Sequence, residues 1–177
     1  GKPGSIVASI PPGSGMIIMA TDSVDVFNNR ITNNKTVGIA CVSYFMTGKQ
    51  LNDSTYGPYC NTISIHDNKF DRSGLSLKEK VPDLSTDLGK LLTATFKGAL
   101  DIFVDGSADP KFRDKNGQLP EGKKICIQNN GEVKFGNLNA WKSKGREDIM
   151  DYKDNDMTKF NCTYTGINGN NLNPKDA

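Results

Sequence analysis

A repeat constrains this chain more than any other feature. Val24-Asp25-Val26-Phe27-Asn28-Asn29-Arg30-Ile31 alternates apolar and polar residues, passes an asparagine pair and ends on a further apolar position. Ile63-Ser64-Ile65-His66-Asp67-Asn68-Lys69-Phe70 repeats the pattern 39 positions later, and Ile125-Cys126-Ile127-Gln128-Asn129-Asn130 is a third, partial copy before the strand-like residues 133–135. Strand-like segments precede the first two copies, at 16–20 and 39–43. Strand, turn, strand, Asn turn and short strand make one coil of a parallel solenoid. Residues 45–59, rich in Gly, Asp, Asn, Tyr and Pro, read as an insertion. Removing those 15 residues from the 39-residue offset leaves 24, within the length of one repeat unit.

Alternation turns every second residue inward, so Val24, Val26, Ile31, Ile63, Ile65 and Phe70 are expected to stack in columns about 4.8 Å apart. Asn29 and Asn68 fall at equivalent bends. Asparagine tolerates the left-handed conformation, and its amide can bond to the amide of the next coil, a structural ladder rather than a ligand site. The predicted fold is all-β: a right-handed parallel β-helix with a short helix and an irregular C-terminal tail. Coils occupy 1–135, and 136–177 form the tail.

Ser85 is the expected cap of a short helix near 85–95, with Leu84, Leu88, Leu91 and Leu92 on one side. A strand at 100–104 and a hairpin-type turn at Asp114-Lys115-Asn116-Gly117 follow. An open end of a solenoid invites aggregation, so helix and tail are expected to cover the C-terminal end. The strand-like residues 6–10 begin without a cover, which predicts further coils before Gly1 or their supply by another subunit.

The 177 residues carry 22 Lys+Arg and 20 Asp+Glu. Interleaved signs with a net charge of +2 offer no basic stripe for nucleic acid. Eighteen Gly and eighteen Asn exclude an all-helical protein. No apolar run approaches the roughly 20 residues of a transmembrane helix. Cys41, Cys60, Cys126 and Cys162 lack metal-ribbon spacing. They read as two disulfides, Cys126–Cys162 and Cys41–Cys60, or as four buried thiols; Cys41 lies in the apolar run 37–42 and also reads as core.

Residues 3–8, 11–15, 24–29 and 63–68, Ser43-Tyr44 with Thr47-Gly48-Lys49, Tyr56-Gly57-Pro58-Tyr59, and Leu119-Pro120-Glu121-Gly122 through Gly131 resemble a bacterial family of secreted parallel β-helix repeat proteins. The resemblance covers residues 3–135, and Cys162 sits where the family has a late cysteine. It implies export to the periplasm, cell surface or medium, a right-handed helix, coils upstream of Gly1 and a second exported protein, cytochrome-like in character, as partner. The family has no assigned activity and supplies no catalytic motif.

Stacking the first two copies puts Asp25 over Ser64, Phe27 over His66, Asn28 over Asp67 and Arg30 over Lys69. The expected ligand-binding cluster is Asp25, His66 and Asp67 with the loop tyrosines Tyr44, Tyr56 and Tyr59, whose rings could stack on sugars. Were the chain a carbohydrate-active enzyme, a lyase or epimerase on acidic polysaccharide, His66, Asp67, Lys69 and Arg30 would carry the chemistry. A sugar-cleaving pair needs two carboxylates at a defined separation, and only Asp67 is obviously placed. The expectation is therefore an exported, non-catalytic binding or scaffold module for polysaccharide or a protein partner. Asp148, Asp151, Asp154 and Asp156 are weak calcium candidates, lacking the Gly and closing Glu of an EF-hand loop; no other cofactor is indicated.

Overall fold

A computed structural model describes residues 10–76, 82, 84–145 and 147–164. The chain runs through β1 (Ser14–Met19), β2 (Asp22–Phe27) and β3 (Arg30–Thr32). It then lays β4 (Val37–Val42) beside β1, β5 (Asn61–His66) beside β2 and β6 (Lys69–Asp71) beside β3. A third circuit adds β7 (Leu100–Val104) to β4 and β8 (Ile125–Gln128) to β5, and β9 (Phe135–Asn137) extends the first sheet beyond β7. Every strand pair is parallel, giving three stacked parallel sheets in a β-helix-like arrangement. Val24 pairs with Ile63 and Ile63 with Ile125, so all three copies of the repeat lie side by side and in register.

The inward columns are the expected ones. Ile63 and Ile65 are fully buried, with Val24, Ile31 and Phe70 packed against the same cluster. β4 is buried along its whole length, because its outer face is covered as well. The cover is α1 (Asp87–Phe96), whose Leu92 and Phe96 pack with Ala40, Phe103 and Leu138 outside the first sheet. The helix thus flanks that sheet instead of closing the C-terminal end, as its leucines alone suggested. Its N-cap is Thr86, which accepts from the Gly89 N–H, and not Ser85; Leu84 lies outside the helix and is exposed. At 114–117 the turn forms, with the Gly117 N–H bonded to the Asp114 carbonyl, but no strands flank it.

The asparagine ladder spans three circuits. Asn68 Oδ1 accepts from the N–H and Nδ2 of Asn29, at 3.0 Å each, and Asn130 Oδ1 accepts the same pair from Asn68. The left-handed residues are those just before each rung, Asn28, Asp67 and Asn129, with φ between 51° and 55°. Turning the chain there aims the following amide along the stack.

Cys126 and Cys162 form a disulfide; Cys41 and Cys60 remain buried free thiols. Cys41 faces the core between Ile18 and Val104 in the strand register, and the Cys60 thiol donates to the carbonyls of Ile18 and Val42. Both thiols lie in one core cluster, which matches the reading of Cys41 as core, and the Cys41–Cys60 bridge is not made. β9 carries the sheet across the expected boundary at 135/136. Beyond it, Asn137 bridges to Asp154, Phe160 packs on Phe135 with ring centroids 5.1 Å apart, and the Tyr164 hydroxyl reaches the carbonyls of Glu121 and Lys124. The strand expected at 6–10 falls, except for Ile10, outside the described residues, as does the tail beyond Tyr164. Among the described residues no helix is long and apolar enough to cross a membrane.

Candidate functional site

Asp25, His66 and Asp67 do converge. His66 Nε2 stands 3.1 Å from Asp25 and Nδ1 2.6 Å from Asp67, and the ring stacks on Phe27 at 5.4 Å and 5°. The strand register causes the stack, since Phe27 and His66 are paired neighbours on the outer face. The imidazole thus stands between two carboxylates, Asp25 on its Nε2 side and Asp67 on its Nδ1 side. Arg30 and Lys69 are register partners on exposed β3 and β6, two like charges side by side with no ion pair between them and the acids.

The tyrosines belong elsewhere. They leave the corner before β5, whereas His66 ends β5, and a strand of six residues is roughly 20 Å long. The single expected cluster is therefore split into two. Within their loop Tyr44 pairs edge-on with Tyr56 at 5.7 Å, and Phe45 with Tyr59 at 5.6 Å. The calcium candidates do not gather either. Asp154 holds Lys159, Asp156 caps the turn at Thr158, Asp148 accepts from Ser143 and two backbone N–H groups, and Asp151 is exposed. Among the described residues no three acidic, His or Cys side chains are placed to hold an ion.

The corner that releases the tyrosine loop releases a second loop one circuit on, residues 105–124, and the turn at Ala140–Lys142 one circuit beyond that. The Leu138 and Ala140 N–H groups bond to the Val104 and Asp105 carbonyls, stacking the third turn under the second. Between loop, turn and tail lies a cleft of about 510 Å³. Arg113, Lys123, Lys124, Lys142 and Lys159 line it, and among the described residues Asp154 is its one lining carboxylate. Although burial pushes Asp154 up, the Lys159 ammonium and the Asp156 N–H hold it below the ordinary carboxylate value. Asp154 is thus a committed anion paired with Lys159, and Lys123 is paired with Asp22 at 3.1 Å, which leaves Arg113, Lys124 and Lys142 as the lining cations outside these two pairs. Trp141 forms one wall and is 39% exposed. Its ring is covered by the Arg113 guanidinium at 4.3 Å, with Lys142 at 5.3 Å. Arg113 is fixed in turn by donating to the carbonyls of Gly117 and Gly106. Gly117, at φ +78°, lies against the indole, and a Cβ there would overlap it. Gly117→Ala is therefore expected to displace Trp141, read as a change in intrinsic tryptophan fluorescence.

Asp105 anchors this corner. It is 2% exposed and accepts from the Ser43 N–H (2.7 Å), the Ser43 hydroxyl (2.6 Å) and the Ser107 N–H (3.0 Å), joining two stacked loops. Burial raises its pKa, and the serine donors offset only part of that rise. Because the folded pKa is the higher one, the carboxyl's contribution to stability is complete below the unfolded value of about 3.9 and is lost as pH rises through the folded value. Asp105→Asn faces an amide donor against an N–H and is expected to cost about 2 kcal/mol in acid. The gap between wild type and variant should narrow as pH rises, as read by urea unfolding between about pH 3 and pH 7.

The repeat carried a signal for this cleft. From Ile63 to Ile125 the offset is 62, so further insertions are required; 105–124 is one of the two long segments in that interval and holds Lys111, Arg113, Lys115, Lys123 and Lys124. Comparison of the chain with protein-family models, curated proteins and solved structures finds no match.

Proposed function

We propose that the protein is an exported, non-catalytic β-helix module that binds acidic polysaccharide. The observation that carries this reading is the 510 Å³ cleft, where among the described residues Arg113, Lys124 and Lys142 stand outside the Lys123–Asp22 and Lys159–Asp154 pairs beside an indole wall. Carboxylated sugars present an anionic edge to Arg and Lys, and a C–H face to an aromatic ring. Among the described residues the cleft presents one carboxylate, where a glycosidase pair needs two. A right-handed parallel β-helix is the finer fold that the parallel register supports, since parallel crossovers overwhelmingly take that hand. Membership in the secreted β-helix repeat family, with a cytochrome-like exported protein as partner, is part of the same proposal. The Cys126–Cys162 disulfide supports an oxidising compartment, secreted or periplasmic.

Titration calorimetry with trigalacturonate tests the reading. Wild type is expected to bind, and Trp141→Ala and Arg113→Ala each to weaken binding roughly tenfold, read at a temperature where circular dichroism shows both variants folded. Equal binding by wild type and both variants would remove the cleft from the argument. No unsaturated or reducing product should accumulate on prolonged incubation with polygalacturonate. Product formation abolished by His66→Asn would instead establish the lyase reading.

A further inference from the structure

Phe45, Tyr56 and Trp141 are three of the exposed large side chains, and all stand on segments released at one corner of successive circuits. The second of these segments adds Phe112, flanked by Lys111 at 4.8 Å and Lys123 at 5.2 Å. The tiers adjoin. Tyr59, the ring partner of Phe45, is next in sequence to Cys60, which lines the cleft. Tyr59 also senses Asp109 and Asp105 of the following loop, which with burial raise its pKa. Backbone hydrogen bonds then tie that loop to the Trp141 turn.

We propose that these three tiers form one track along the winding axis for a linear chain of uronic-acid residues. Its ends are Trp141 with Arg113 and Phe45 with Tyr59, and Phe112 with its two lysines lies between. This rests on the binding reading above and extends it from a pocket to a polymer site. Successive circuits are about 4.8 Å apart, close to the advance of one pyranose in an extended chain, so rings carried by neighbouring circuits fall in step with neighbouring sugars. Aromatic rings suit the sugar C–H faces; Arg113 and Lys142 beside Trp141 meet a carboxylate at that end of the track, and Lys111 and Lys123 beside Phe112, held by Asp109 and Asp22, meet a second by exchanging partners.

Calorimetry with oligogalacturonates of increasing length, from the dimer to the hexamer, tests the track. Wild-type affinity is expected to rise roughly tenfold or more across the series as additional rings are engaged. Phe45→Ala, an exposed side chain, should leave the dimer unaffected and abolish most of the gain for the hexamer; Trp141→Ala should weaken every length. Binding that depends on Trp141 but not on length, or a length gain untouched by Phe45→Ala, overturns the track and leaves the cleft reading standing. A neutral galactan hexamer bound as tightly as the uronate hexamer overturns the assignment to acidic chains. No binding at any length overturns the cleft reading and the track with it.

Discussion

Asn68→Ala is expected to destabilise the protein by about 4 kcal/mol, and Asn29→Ala by about 1 kcal/mol. The same chemical change differs in cost because of position in the ladder. Asn68 is 2% exposed; its Oδ1 accepts two hydrogen bonds from Asn29, and its Nδ2 donates to the Val26 and His66 carbonyls and to Asn130 Oδ1. Truncation orphans the buried Val26 carbonyl in a space closed to water, where it carries a desolvation penalty, and leaves a cavity between the rungs. Asn29 is exposed, and water replaces what its amide gave. Urea unfolding of the two variants checks the ratio. Equal losses would mean that the ladder does not hold the circuits together. Asn68→Asp should be worse than alanine, because a carboxylate would face two carbonyls that now receive N–H donors.

The register was legible because alternation has a period of two and the Asn turn marks phase, so aligning 24–31 with 63–70 left no freedom to slip. Corners were harder. The repeat states how many residues a loop holds, not which end of a strand it leaves. The tyrosines were thus grouped with His66, although β5 separates them. The helix position was readable from its leucines, but its cap shifted by one residue, since Thr86 and not Ser85 has the extended backbone and the reach to the Gly89 N–H. Its docking on the outer face of the first sheet was implicit in 37–42, a run apolar at every position, which needs cover on both sides. The Cys126–Cys162 bridge was expected from the cysteine count, but the path of the tail that returns to β8 across 36 residues is one that no local pattern records. For the same reason the tail residues that close the cleft, Asp154 and Lys159 to Cys162, were out of reach of periodicity, whereas its loop side was signalled by the offset of the repeat.

Removing the disulfide by a Cys126→Ala, Cys162→Ala double substitution should lower stability by about 4 kcal/mol on the chain-entropy estimate for a bridge spanning 36 residues. The loss should be distributed unevenly. The tail retains Phe160 on Phe135, the Asn137–Asp154 bridge and the Tyr164 hydroxyl bonds, whose burial pushes the Tyr164 pKa up to about 12. The described circuits, by contrast, share the ladder and an inward column of Ile, Val and Phe that owes nothing to the bridge. Hydrogen exchange is therefore expected to accelerate over 154–164 well before it does in β4 or β5. Lys159, Phe160 and Asn161 line the cleft, so trigalacturonate affinity should fall in the same variant while the strand core remains protected. Uniform acceleration through β4 and β5 would show instead that tail and circuits unfold as one unit, and that the disulfide stabilises the winding itself.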